Sequence, residues 1–139
     1  MSGGADFDLS GRWSGIFSYP SLFPPNGFEA EILDHGGLIT GVITQPREFF
    51  EPDGPPRQAV IDGRREGDSV TFVKFYDDLD RPTPHYHGRI QTGGDEVNGE
   101  WTIPGDWSGT FIMIRAGGKG ETVEERVSEE VPVSNLQVR

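Results

Sequence analysis

From Gly11 to Arg115 the chain repeats one pattern. Short runs alternate apolar with polar side chains, and clusters of glycine, proline and aspartate separate them. A period of two sends successive side chains to opposite faces of an extended strand. Residues 11–19 set Trp13, Gly15, Phe17 and Tyr19 against Ser14, Ile16 and Ser18. Residues 28–33 set Phe28, Ala30 and Ile32 against Glu29 and Glu31. The same reading predicts strands over 38–45, 57–64, 69–76, 85–91, 97–103 and 107–115, with no helix between any two.

The links sort into two kinds. Asp34-His35-Gly36-Gly37, Arg65-Glu66-Gly67-Asp68 and Thr92-Gly93-Gly94-Asp95 are tight turns, built on glycine's tolerance of positive φ. The links over 19–27, 46–56 and 77–84 are longer and rich in proline, and 104–106 is short. Strands joined this way pair with their sequence neighbours in antiparallel fashion. The expected fold is therefore all-β: eight strands in up-and-down order, closed into a barrel. In such a meander the tight turns share one end and the other links share the opposite end. Binding and catalytic groups concentrate on loops held by a rigid scaffold, so any site is expected at the long-loop end.

Placing Trp13 inside fixes the first strand, and amphipathicity assigns the rest. The expected interior is Trp13, Phe17, Tyr19, Phe28, Ile32, Ile43, Ile61, Val73, Phe75, Tyr86, Ile90, Trp101, Ile103, Trp107, Phe111, Met113 and Arg115. Aromatic rings dominate it, either to stack on a flat ligand or simply to fill the core. Ile16, Leu33, Val42, Val70, Phe72, Tyr76, Ile112 and Ile114 fall on the other face. Ile16, Ile112 and Ile114 lie on strands that meet when the barrel closes. That makes a homo-oligomer interface, or a dock for the C-terminal segment, the expected use of this wall.

Composition narrows the classes. At 139 residues the chain divides into a tail over 1–9, the barrel over 10–116 and an acidic extension over 117–139. In the extension, Thr122 and Glu125 form a capping-box pattern and Val123, Val127 and Val131 are spaced by four. A short helix over 122–130 and a disordered acidic tail are both consistent with that. The net charge of -11 repels nucleic acid and anionic membranes, and no apolar run is long enough to span a bilayer. There is no cysteine for a disulfide, a thiolate metal site or a thiol nucleophile. The N-terminus shows no basic region followed by an apolar run, so a cytoplasmic location is expected.

Gly11-Arg12-Trp13, with Arg115 at the end of the last strand, resembles the calycin superfamily, in which a Gly-x-Trp opens the barrel and a late basic residue packs over the tryptophan. The runs 38–42, 70–75, 88–90, 97–103 and 107–111 resemble successive strands of the avidin-like branch in order and spacing. The resemblance implies an eight-stranded barrel over residues 11–115. It places Trp101 and Trp107 at positions of biotin-contacting tryptophans, and Phe75 where another tryptophan is usual. The polar biotin contacts are replaced by Gly15, Tyr19, Ile43 and Arg115. Ligand hydrogen-bonding atoms left unpaired cost about 1–3 kcal/mol each, so the resemblance argues against biotin itself.

Candidate chemistry is sparse. His85 and His87 share one face of a strand and are the metal-ligand candidates, but no third histidine follows and Tyr86 and Ile90 claim the interior. His85 and Asp77 are the acid–base candidates. Asp77, Asp78 and Asp80 with Arg81 lack the ligand spacing and glycine of a calcium loop. No nucleophile elbow, P-loop or dinucleotide fingerprint is present. The expected function is binding of a small apolar or aromatic molecule at the long-loop end, without a cofactor. The expected contacts are Tyr19, Gln45, Phe49, Phe75, Tyr86, Trp101 and Trp107, with Arg115 or Gln45 as polar anchor; Phe23 and Phe50 stand at the same end. The alternatives are an interaction module with a filled barrel and a small-barrel enzyme using His85 or Asp77.

Overall fold

The computed structural model describes residues 7–47, 53–77 and 82–117. Phe49, Phe50, Asp78, Asp80, Arg81 and the expected helix over 122–130 lie outside the described residues. The strands are β1 (Gly11–Ser18), β2 (Asn26–His35), β3 (Leu38–Gln45), β4 (Arg57–Glu66), β5 (Ser69–Tyr76), β6 (His85–Ile90), β7 (Glu96–Thr102) and β8 (Ser108–Arg115). Each pairs antiparallel with the next, and β8 pairs with β1 to close an eight-stranded barrel. The architecture is the one that the sequence periodicity and the calycin resemblance imply.

Local chemistry explains the register. Gly36 and Gly37 both have positive φ, at 60° and 102°, and close the β2–β3 hairpin so that His35 faces Leu38. Such two-residue turns match the twist of the flanking strands. Inside, large rings sit across from glycines: Phe28 opposite Gly15, Phe72 opposite Gly63, Phe111 opposite Gly99 and Trp101 opposite Gly109. A Cβ on Gly15 would run into the Phe28 ring. The interior of an eight-stranded barrel is narrow, and the glycines make the room its aromatics occupy.

The tight-turn end is sealed. Leu9 and Trp13 are fully buried, and the Trp13 indole Nε1 donates to the Leu9 carbonyl at 2.9 Å. The Arg115 guanidinium lies 4.6 Å from the Trp13 ring centroid. It donates to the carbonyls of Ser10 (2.8 Å), Asp8 (2.8 Å) and Gly94 (2.9 Å) and to the Asp95 carboxylate (2.9 Å). Residues 7–9, expected in the tail, therefore pack as part of the barrel's closed end. Asp34 ties the seal together. Its carboxylate accepts from the Leu9 amide (2.9 Å), the Gly37 amide (2.8 Å) and Arg65 Nε (2.7 Å). Burial alone would raise the Asp34 pKa, but the Arg65 hydrogen bond, the two amides and the Arg65 charge outweigh it and hold it below the usual value.

β5 corrects the expected interior. Val70, Phe72 and Lys74 are buried and Tyr76 is half-buried, whereas Val73 and Phe75 turn to the outer wall. Phe75 is 43% exposed. Both faces of this strand are apolar, and a lysine reads naturally as solvent-facing, so amphipathicity selected the wrong face. On the outer wall Ile112 is buried, and Ile16 and Ile114 are half-buried. Val42, Val60 and Phe75 are exposed and lie directly across from one another on β3, β4 and β5.

Candidate functional site

The end opposite the seal holds a cavity of about 410 Å³. Phe17 of β1 and Tyr19 just beyond it form one side, Tyr76 of β5 and Tyr86 of β6 another, and Trp101 of β7 a third. Pro82 and Pro84 from the link before β6, and Ile103, Asp106 and Trp107 from the link before β8, complete the rim. All three tyrosines of the chain and two of its three tryptophans converge on this wall. The volume lies within the range of small-molecule sites, and a mostly apolar wall with a few polar atoms is their usual character.

The rings are held in place. Tyr19 and Trp107 stack at 5.1 Å with an interplanar angle of 29°. Trp101 stands edge-on to both, at 5.9 Å from each. Its Nε1 donates to the Ser18 carbonyl at 2.9 Å, across the closing β1–β8 seam. Gly109 leaves the space for this: a Cβ there would strike the Ser18 carbonyl and lie 2.7 Å from Trp101 Nε1. Phe23, on the β1–β2 link, packs edge-on to Trp107 at 6.0 Å.

Behind the wall lies a buried cation. Lys74 is fully buried, and its Nζ donates to Gln45 Oε1 at 2.9 Å. The same Nζ is 4.5 Å from the Phe17 ring centroid, 5.1 Å from that of Tyr76 and 5.2 Å from that of Tyr86. Ring faces carry negative quadrupolar charge, so this cage suits an ammonium ion. Gln45 pairs across the strands with Arg57, which is also buried. Tyr86 is 3% exposed, stacks on Phe72 at 4.8 Å and meets Phe111 edge-on at 5.0 Å. Burial pushes its phenol well above the usual tyrosine range, and the neighbouring Tyr76 and Tyr19 phenols add to the effect. Among the described residues the Tyr86 hydroxyl has no hydrogen-bond partner.

Of the residues expected to bind a ligand, Tyr19, Tyr86, Trp101 and Trp107 stand together on the cavity wall, and Gln45 lies beside Lys74. Phe75 does not join them, because the alternation of β5 sends it outward. Nor does Arg115, because β8 runs from the open end to the sealed one and Arg115 is its last residue. His85 and His87 are exposed on the outer wall, where His87 Nε2 lies 3.4 Å from Ser69 Oγ. They border a depression of about 570 Å³ with Asp62, Arg64 and Glu100. Among the described residues no three His, Cys, Asp or Glu side chains gather to hold a metal. Asp77 is exposed past the end of β5, with its amide donating to the Gln58 carbonyl at 3.3 Å, and it is not part of the cavity wall.

Sequence reasoning missed Lys74, Tyr76, Arg57 and Asp106. A signal for Lys74 was present. Gly67 and Asp68 form a two-residue turn that pairs Glu66 with Ser69, and counting back along both strands sets Lys74 opposite Ile61. Residues directly across an antiparallel pair share a face, so an inward Ile61 requires an inward Lys74. Among the described residues no helix is long and apolar enough to cross a membrane. No family model matches the chain, and no curated protein matches it either.

Proposed function

We propose that this barrel binds a small, largely apolar molecule at its open end and acts as a binding protein. The observation that carries the reading is the pairing of a sealed end with a cavity of about 410 Å³ at the other, walled by tyrosine and tryptophan. A barrel serving only as a scaffold has no need to gather every tyrosine around a void. Trp101 and Trp107, matched in the avidin-like resemblance to ligand-contacting tryptophans, stand on that wall and support the same reading. The enzyme alternative loses support, since His85, His87 and Asp77 lie outside the cavity and, among the described residues, Asp106 is its one wall carboxylate. The interaction-module reading draws on a separate feature, the exposed stripe of Val42, Val60 and Phe75. Both uses are compatible in one molecule.

Native mass spectrometry of the full chain, incubated with a panel of small aromatic compounds, tests the proposal. The expected result is a one-to-one adduct, weakened by Tyr19→Ala, which removes one face of the wall. Absence of any adduct across the panel, or an adduct that Tyr19→Ala and Trp107→Ala leave equally strong, counts against it.

A further inference from the structure

The ligand-binding reading above is the premise here, and the polar atoms of the cavity refine it to a chemical class. Trp101 Nε1 is already engaged by the Ser18 carbonyl. The Tyr86 hydroxyl is different: it is buried and meets no hydrogen-bond partner among the described residues. A buried hydroxyl without a partner is destabilising, and a guest in the cavity can provide the missing atom. Burial keeps this phenol protonated, so it is a donor and calls for an acceptor.

The charge of the surroundings points the same way. Toward the cavity, the charged residues buried among the described ones are Arg57 and Lys74, both cationic, in a chain of net charge -11; the buried Asp34 carboxylate lies at the sealed end, paired with Arg65. Lys74 Nζ sits 5.2 Å from the Tyr86 ring and 4.5 Å from the Phe17 ring, held by Gln45. In a poorly polarisable interior, a fixed ammonium acts over such distances without direct contact. Among the described residues the one carboxylate on the wall, Asp106, is exposed and lies at the rim. A guest with an anionic end is therefore drawn in with that end toward Tyr86 and Lys74 and away from Asp106.

We propose that the cavity takes a flat aromatic carboxylate, its rings against Tyr19, Trp101 and Trp107 and its carboxylate accepting from the Tyr86 hydroxyl in the field of Lys74. Phenyl-only neutrals fit the walls but leave the donor unmet. Aliphatic or aromatic cations meet the wrong sign of charge.

Isothermal titration calorimetry on the full chain decides this, with naphthoate and its uncharged methyl ester as probes. The acid is expected to bind about tenfold or more tightly than the ester, the usual scale of a hydrogen bond to a charged group. Tyr86→Phe narrows that ratio while retaining ester binding. Lys74→Met, of similar shape but uncharged, narrows it further; circular dichroism confirms that each variant is folded. If the wild-type protein binds the ester as tightly as the acid, the assignment of an anionic ligand is overturned and the binding cavity stands. If both folded variants keep the full acid preference, the assigned donors are wrong. If neither probe binds the wild-type protein, both the ligand class and the cavity reading fail.

Discussion

Replacing Phe72 and Phe75 in turn by alanine separates the two possible faces of β5. Phe72 is 3% exposed, stacks on Tyr86 at 4.8 Å and lies 6.3 Å from Phe111, edge-on. Truncating a buried phenylalanine costs about 3–5 kcal/mol, and the strands around a closed barrel collapse poorly into the space left. Phe75 is 43% exposed on the outer wall, so its removal forfeits only part of its apolar burial, about 1 kcal/mol. The difference is about 3 kcal/mol. Small domains lose about 1–3 kcal/mol of stability per molar urea. In equilibrium urea unfolding, Phe72→Ala should lower the midpoint by about 2 M and Phe75→Ala by about 0.5 M or less. Equal shifts, or the larger shift for Phe75→Ala, would refute the assignment. They would also turn Lys74 outward, because it shares a face with Phe72, and the buried cation behind the cavity wall would vanish with it.

Other outcomes follow from the seal and the wall. The Asp34 carboxyl is held below its ordinary value of about 3.8, so its contribution to stability is full above that pH and is lost as pH falls through the lowered native value. Asp34→Asn should cost about 3 kcal/mol near neutrality, by removing the carboxylate buried against Arg65, and flatten the acid limb of a stability–pH curve; an unchanged limb would contradict it. Tyr86 behaves in the opposite sense. Its raised pKa makes its contribution full below the ordinary value of about 10 and lost at higher pH, so alkaline absorbance titration should show one tyrosine ionising late, and Tyr86→Phe should remove that step. Gly109→Ala should break the Trp101–Ser18 hydrogen bond and cost about 1–3 kcal/mol, with a changed near-ultraviolet circular dichroism spectrum. Native spectra and stability in that variant would refute the tight fit.

The fold was legible because its signals are local. Strict alternation in β2, with Glu29 and Glu31 between Phe28, Ala30 and Ile32, leaves one way to bury the strand. Glycine pairs such as Gly36-Gly37 fix which strands meet. Four of the wall rings, Tyr19, Tyr86, Trp101 and Trp107, were legible for the same reason, since they lie near the long-loop ends of well-patterned strands. What failed was β5, where Val70 and Phe72 compete with Val73 and Phe75 and the deciding residue, Lys74, is charged. Composition alone sends a lysine to water; the cage of Phe17, Tyr76 and Tyr86 and the Gln45 side-chain carbonyl favour its place in the interior. Arg115 was misplaced for a topological reason. Alternation along the last strand set it inward, and the resemblance set it over Trp13, but both residues stand at the sealed end, opposite the cavity.

The central claim is that one end of this barrel receives a guest and the other is closed. The chain's three tryptophans report on it directly, because Trp101 and Trp107 wall the cavity while Trp13 is sealed beneath Leu9 and Arg115. In a heteronuclear NMR titration of nitrogen-labelled protein with naphthoate and its methyl ester, the indole N–H resonances of Trp101 and Trp107 should shift with a single saturating isotherm while that of Trp13 stays in place. Equal movement of all three, movement of Trp13 alone, or no movement with either probe would contradict the account.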